Sequence, residues 1–214
     1  LSAALKKEQL SDAAYQELIA ITTKLNKPGQ RLAQLDTVHA LTDVTGFGLA
    51  GHLLELCRGA KLSAQIQWDA IPVIEEAAKL VKDDVFTGAS VRNWSGYGHE
   101  IQMSGALQAW HQNLLSDPQT SGGLLIACDP EASDQVLEIL QADGFTNAKN
   151  IGTFAEGSGL SVKPARFSIA LPKFFRTIHH DQASNASNCQ PLFLCNRSSP
   201  SGSCCRCPAN HHDS

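Results

Sequence analysis

The chain has 214 residues, 43% of them hydrophobic and 6% aromatic, which supplies an aliphatic core for one large domain with room for a tail. A formal net charge of −4, with acidic and basic residues interspersed and no Lys/Arg stripe, excludes nucleic acid as an expected partner. Apolar runs stay far short of the roughly 20 residues that span a bilayer, and Leu1–Lys7 is too quickly charged for a secretory signal, so a cytoplasmic protein without membrane attachment is expected.

Residues 11–25 place Tyr15, Leu18, Ile19, Ile21 and Leu25 on one broad helical face behind a Ser11/Asp12 cap, and Asn26 with Pro28 stops that helix. A short helix is expected from Arg31 to Leu35, and Val38–Thr42 reads as a brief strand. Helical spacing returns from Phe47 to Arg58, with Leu49, Leu53, Leu54 and Cys57 on one side and Gly59 as the terminating residue. Leu62, Ala64, Ile66 and Trp68 alternate with polar residues, the pattern of a half-buried strand. Ile71-Pro72 opens a helix through Val81, and the Gly-, Ser- and Asn-rich stretch Phe86–Gly98 reads as an irregular loop. Leu124–Cys128 is a compact apolar strand, followed by a helix from Pro130 to Ala142 that stops at Gly144. Ile151–Phe154 and Leu160–Val162 form two short strands around the turn Glu156–Gly159. The mixture predicts an α/β fold, a mixed sheet layered with helices, over residues 1–170. Residues 171–214 turn to Ser, Asn, Cys, Pro and His with almost no periodic apolar positions, and a disordered tail is expected there.

Two segments carry chemistry. In Leu41-Thr42-Asp43-Val44-Thr45-Gly46-Phe47-Gly48 a strand ends, a carboxylate stands at its tip, and two glycines allow a ligand close to the backbone before a helix begins. Helix-start N–H groups favour a phosphate, and a divalent cation between that phosphate and Asp43 removes the repulsion of two negative groups. The plainer reading is that Asp43 caps the helix and the glycines only permit a tight turn. In Ser116-Asp117-Pro118-Gln119-Thr120-Ser121-Gly122-Gly123, a carboxylate and hydroxyls again meet paired glycines at the entry to a strand. Thr120, Ser121 and the following amides suit an anion nest, while Asp117 reads as the start of an Asp-Pro turn.

The stretches HALTDVTGFGLAGHLLE and LLSDPQTSGGLL, with Gly88–Trp94 between them, resemble signature segments of the selenophosphate synthetases (selenide, water dikinases), in the same order. The likeness runs from about Leu5 to Lys163. It implies the α/β sandwich of the carboxy-terminal domain of aminoimidazole ribonucleotide synthetase-type proteins. It further implies conversion of selenide, ATP and water to selenophosphate, AMP and phosphate, with Mg²⁺ and, for the full-length enzyme, a homodimer. The family's reactive Cys and Lys lie in an amino-terminal region that this sequence does not match. With Met103 as its only methionine and Leu1 at its start, the chain reads as a fragment, inactive alone, with no catalytic or nucleotide-binding residue to assign. The family metal ligand that maps onto it is Asp43.

Plainer roles are expected elsewhere. Cys57 and Cys128 fit core positions, His52 a packed or capping one, and His99 and His111 lack ligand partners at metal spacing. Arg92 and Trp94 are equally suited to contacting a ligand or anchoring their loop. Cys204, Cys205 and Cys207 with His211 and His212 leave a second function open, a non-catalytic zinc-binding scaffold, although their spacing fits no common finger. A third is another synthetase of the same superfamily.

Overall fold

The computed structural model describes residues 1–164 and 190–195. Helix α1 (Ser2–Lys6) precedes α2 (Asp12–Thr23), which starts where the Ser11 hydroxyl accepts the Ala14 N–H at 3.2 Å. Helix α3 (Pro28–Leu32) lies earlier than the spacing suggested, because Pro28 is a helix-starting residue at the first turn. Strand β1 (Val38–Asp43) then leads into α4 (Gly48–Ala60). Gly59 does not end α4; Lys61, at φ 56°, takes the left-handed capping conformation instead.

Strand β2 (Leu62–Gln67) is followed by a 3-10 turn and by α5 (Glu75–Lys82). The chain expected to open a helix at Ile71 stays non-helical until Ile74. The largest departure is α6 (Gly88–Tyr97), a ten-residue helix where a loop was expected. Thr87 caps it by accepting the Ser90 N–H at 3.1 Å, and Tyr97 and Trp94 pack into the core. Tertiary contacts there outweigh the poor helix propensity of Gly, Ser and Asn. Strand β3 (Ile101–Met103), α7 (Ala109–Leu115), β4 (Leu124–Cys128), α8 (Ser133–Ala142), β5 (Lys149–Glu156) and β6 (Leu160–Lys163) complete residues 1–164.

A seventh strand, β7 (Gln190–Cys195), falls in the stretch expected to be disordered. It pairs antiparallel with both β4 and β5, and Leu192 is fully buried. The apolar run Leu192–Leu194 suits a central strand, Pro191, which has no N–H for the ladder, stands near its start, and β7 satisfies backbone groups that β4 and β5 would otherwise present as open edges. The remainder of the expected tail, including Cys189, Cys204, Cys205, Cys207, His211 and His212, lies outside the described residues.

The sheet order is β1-β4-β7-β5-β2-β6-β3, antiparallel except where β6 runs parallel to β2 and β3. Strand β4 is buried along its whole length because both faces are covered. Leu125 and Ala127 join the core under α4, α6 and α7, while Leu124, Ile126 and Cys128 join the core under α3 and α8. Each fully buried leucine or isoleucine contributes about 1.5–3 kcal/mol, so this two-sided packing fixes the end of β4 that receives the second glycine segment.

Candidate functional site

Strand β1 delivers Asp43 to the sheet margin opposite Leu124, and the ladder runs one residue further through Val44 N–H to Gly123 C=O at 2.9 Å. The Asp43 side chain is exposed, and its carboxylate has no hydrogen bond or ion pair among the described residues. It does not cap α4, whose N-cap is Phe47 with no side-chain hydrogen bond. The Thr45 hydroxyl instead meets His52 Nε2 at 3.1 Å, and His52 Nδ1 lies 3.2 Å from Glu55. Buried and committed on both ring nitrogens, His52 is a packing residue, as expected.

The second segment starts at the end of α7. Asp117 is not simply a turn residue: one carboxylate oxygen accepts from Ser90 Oγ at 3.1 Å and Thr87 Oγ1 at 3.4 Å, the other from Gln119 Nε2 at 3.2 Å. Burial pushes its pKa above the ordinary aspartate value despite those donors, which favour the ionised form. Thr120 and Ser121 are exposed beyond it, Ser121 at φ 52°. Asn26 donates to the Gly122 carbonyl at 3.1 Å, tying the end of α2 to the same turn.

The two segments interlock. Gln119 N–H donates to Thr45 C=O at 3.0 Å, and Asn93 Nδ2 donates to Gly46 C=O at 2.9 Å and to Ser116 C=O at 3.0 Å. A β-carbon on Gly122 would stand 1.7 Å from the Val44 carbonyl oxygen, and one on Gly48, at φ 68°, would stand 2.7 Å from the Ser116 carbonyl carbon. Those two glycines are therefore required by close backbone approach. Behind the second turn a cavity of about 160 Å³, walled by Leu18, Ile21 and Leu80, reaches Asp117 and Gln119.

Residues 2–164 match the family described as AIR synthase related protein, C-terminal domain. The chain belongs to this family. Within it, the chain is 54% identical over 170 residues to a selenide, water dikinase of Burkholderia cenocepacia, covering 79% of this chain and 46% of the relative. A Burkholderia pseudomallei selenide, water dikinase is 56% identical over 158 residues, covering 74% and 45% respectively. One from Rhizobium meliloti is 46% identical over 157 residues, covering 73% and 45%. The chain thus spans less than half the length of these relatives. Its mixed α/β fold and its two glycine segments agree with the expected family.

The remaining candidates of this AIR synthase related domain separate cleanly. Burial pushes the thiols of Cys57 and Cys128 up to about 11, so both are core groups held neutral. Arg58 turns to a two-point contact with Glu100 instead of toward Cys57. Trp94 packs against the core, whereas Arg92 is exposed and makes no ion pair among the described residues. His99 faces Glu100 at 3.8 Å, and His111 closes a capping box at the start of α7 while stacking on Trp110 at 3.6 Å. Among the described residues no three His, Cys, Asp or Glu side chains gather into a metal site, and no helix is long and apolar enough to cross a membrane. Sequence reasoning passed over Asn93; only its distance in sequence from Gly46 and Ser116, closed by the fold, reveals what it does.

Proposed function

We propose that this chain acts as the carboxy-terminal domain of a selenide, water dikinase and lends Asp43 to a magnesium site completed by carboxylates outside the described residues. The observation that carries the reading is the free Asp43 carboxylate at the tip of β1, beside two interlocked glycine turns. A small hard cation takes oxygen ligands and shares them with substrate phosphates. Asp43 offers such oxygens uncommitted, and the absence of a three-ligand cluster among the described residues fits one contributed ligand better than a self-contained site. Mg²⁺ bound there would neutralise charge on the ATP phosphates.

The domain's own work is positioning. The Val44–Gly123 and Gln119–Thr45 hydrogen bonds hold both turns in one geometry before substrate arrives, so little reorganisation is left for the reaction. Selenide and ATP are the proposed substrates, and a homodimer the proposed assembly of the full-length enzyme. No nucleophile is assigned here; Cys57 and Cys128 are buried and neutral.

The test is AMP formation from ATP and selenide. The chain alone is expected to give none. Joined to the segment of the Burkholderia cenocepacia relative that it does not match, it is expected to turn over. There Asp43→Asn should lower turnover by about 10²-fold or more, as loss of metal-site groups does, with the fold unchanged by circular dichroism. AMP from the chain alone, or full Asp43→Asn turnover with ordinary magnesium dependence, refutes the reading.

A further inference from the structure

One amide joins the two glycine segments. Asn93 lies 47 residues from Gly46 and 23 from Ser116, yet its Nδ2 reaches both carbonyl oxygens, at 2.9 and 3.0 Å. Only the NH₂ end of the side chain can do this, since both partners are acceptors, and its two protons are then fully used. The helix that carries it is itself anchored to the second segment. Thr87, which caps α6, and Ser90 in its first turn donate to Asp117, and Ser90 is fully buried. At the other end of α6, Tyr97 Oη donates to the Phe47 carbonyl at 2.6 Å, which ties the helix to the first segment as well. Asn93 therefore projects from a brace held at both ends, at the point where a displacement of either turn would be felt first.

We propose that Asn93 is a positioning residue that sets the placement of Asp43 relative to the Ser116–Gln119 turn. This deepens the reading of Asp43 as a metal ligand and rests on it. Backbone hydrogen bonds tie Val44 to Gly123, and Gln119 and Gly48 to Thr45. The Asn93 amide adds the link at the bend itself, fixing the Gly46 carbonyl to the carbonyl of Ser116, a fully buried residue. A metal ligand displaced by an ångström loses much of its effect, so the gain from such a lock lies in cation and nucleotide binding more than in the stability of the domain.

Asn93→Asp tests this, because aspartate keeps the shape but has no N–H to donate and sets a carboxylate against two carbonyl oxygens. Amide hydrogen exchange in the full chain is expected to speed up at least tenfold at Val44 and Gln119, the two loop-to-loop donors, while Ala64 in β2, whose N–H donates to Gly159, and Phe154 in β5 keep their protection. In the joined enzyme the same variant should raise the magnesium–ATP KM at least tenfold with a smaller change in kcat. Unchanged exchange at Val44 and Gln119 overturns the proposal, and so does a uniform loss of protection through β2 and β5, which would make Asn93 a general structural support. If exchange responds as expected while neither Asn93→Asp nor Asp43→Asn alters magnesium dependence, the metal role of Asp43 fails and, with it, the functional part of this inference; the mechanical coupling alone survives.

Discussion

Gly122→Ala measures how tightly the two segments are bound together. The new β-carbon would sit 1.7 Å from the Val44 carbonyl oxygen, 2.8 Å from its carbon and 3.1 Å from Gln119 Cβ. Reaching even a close carbon–oxygen contact of about 3.3 Å requires the strands of backbone to part by ~1.6 Å. That exceeds what the 2.9 Å Val44–Gly123 and 3.0 Å Gln119–Thr45 hydrogen bonds tolerate. Overpacking costs about 1–3 kcal/mol, and each lost hydrogen bond about 0.5–1.5 kcal/mol. A combined loss of about 2–6 kcal/mol lowers Tm by about 4–24 °C in a domain of this size. Gly46→Ala is the matched control: nothing lies within 4 Å of the added carbon, its φ is not positive, and a change within ~0.5 kcal/mol is expected. Thermal and urea unfolding of both variants decide the matter. A Gly122→Ala Tm within ~2 °C of the parent, or equal damage from the two substitutions, would refute the claim that the segments are locked by direct backbone contact.

Other outcomes follow from the same geometry. Burial lowers the His111 pKa, opposed first by the backbone hydrogen bond with Gln108 and then by Asp69, while Lys82 acts with burial; Nδ1 accepts the Gln108 N–H at 2.8 Å, which requires the unprotonated nitrogen. Its contribution is therefore fully present above its unfolded value of about 6.5 and is lost as pH falls through the lower folded value. His111→Gln should flatten the stability profile across that window in pH-dependent urea melts, and an unchanged slope would count against the buried neutral ring. For Asp117 the sign is opposite: its raised pKa means its contribution is greatest at low pH and declines as pH rises through the folded value. Asp117→Asn retains an acceptor for Ser90 and should be neutral or stabilising at pH 7; marked destabilisation there would show that the charge itself is needed. Cys57 and Cys128 should stay unlabelled by iodoacetamide at pH 8 in the folded protein and react after denaturation, by peptide mass mapping. Rapid native labelling of either would contradict its core placement.

Local chemistry was legible wherever a few adjacent residues settle the matter. Ser11 ahead of an amphipathic stretch produced α2, the alternation of Leu62, Ala64 and Ile66 produced β2, and the apolar run Leu124–Cys128 produced β4, all close to the expected places. The long segments around Asp43 and Asp117 likewise marked the family and pointed to a candidate site, because a carboxylate with paired glycines at a strand end is a local pattern. What the sequence alone could not supply was any contact made between distant residues. Gly88–Tyr97 carries the composition of a loop and becomes α6 because Asp117, 27 residues away from Ser90, reaches its first turn and Trp94 and Tyr97 find the core. Strand β7 joins β4 and β5 from a stretch whose overall composition suits disorder, since an open pair of strand edges rewards any short apolar segment that can fill them. Gly46 and Gly122 look alike in sequence, and only the fold brings the Val44 carbonyl against one and leaves the other in open space. Propensity and periodicity act over a turn of helix or a few residues of strand; backbone approach, strand order and the double grip of Asn93 are set by packing across the whole domain.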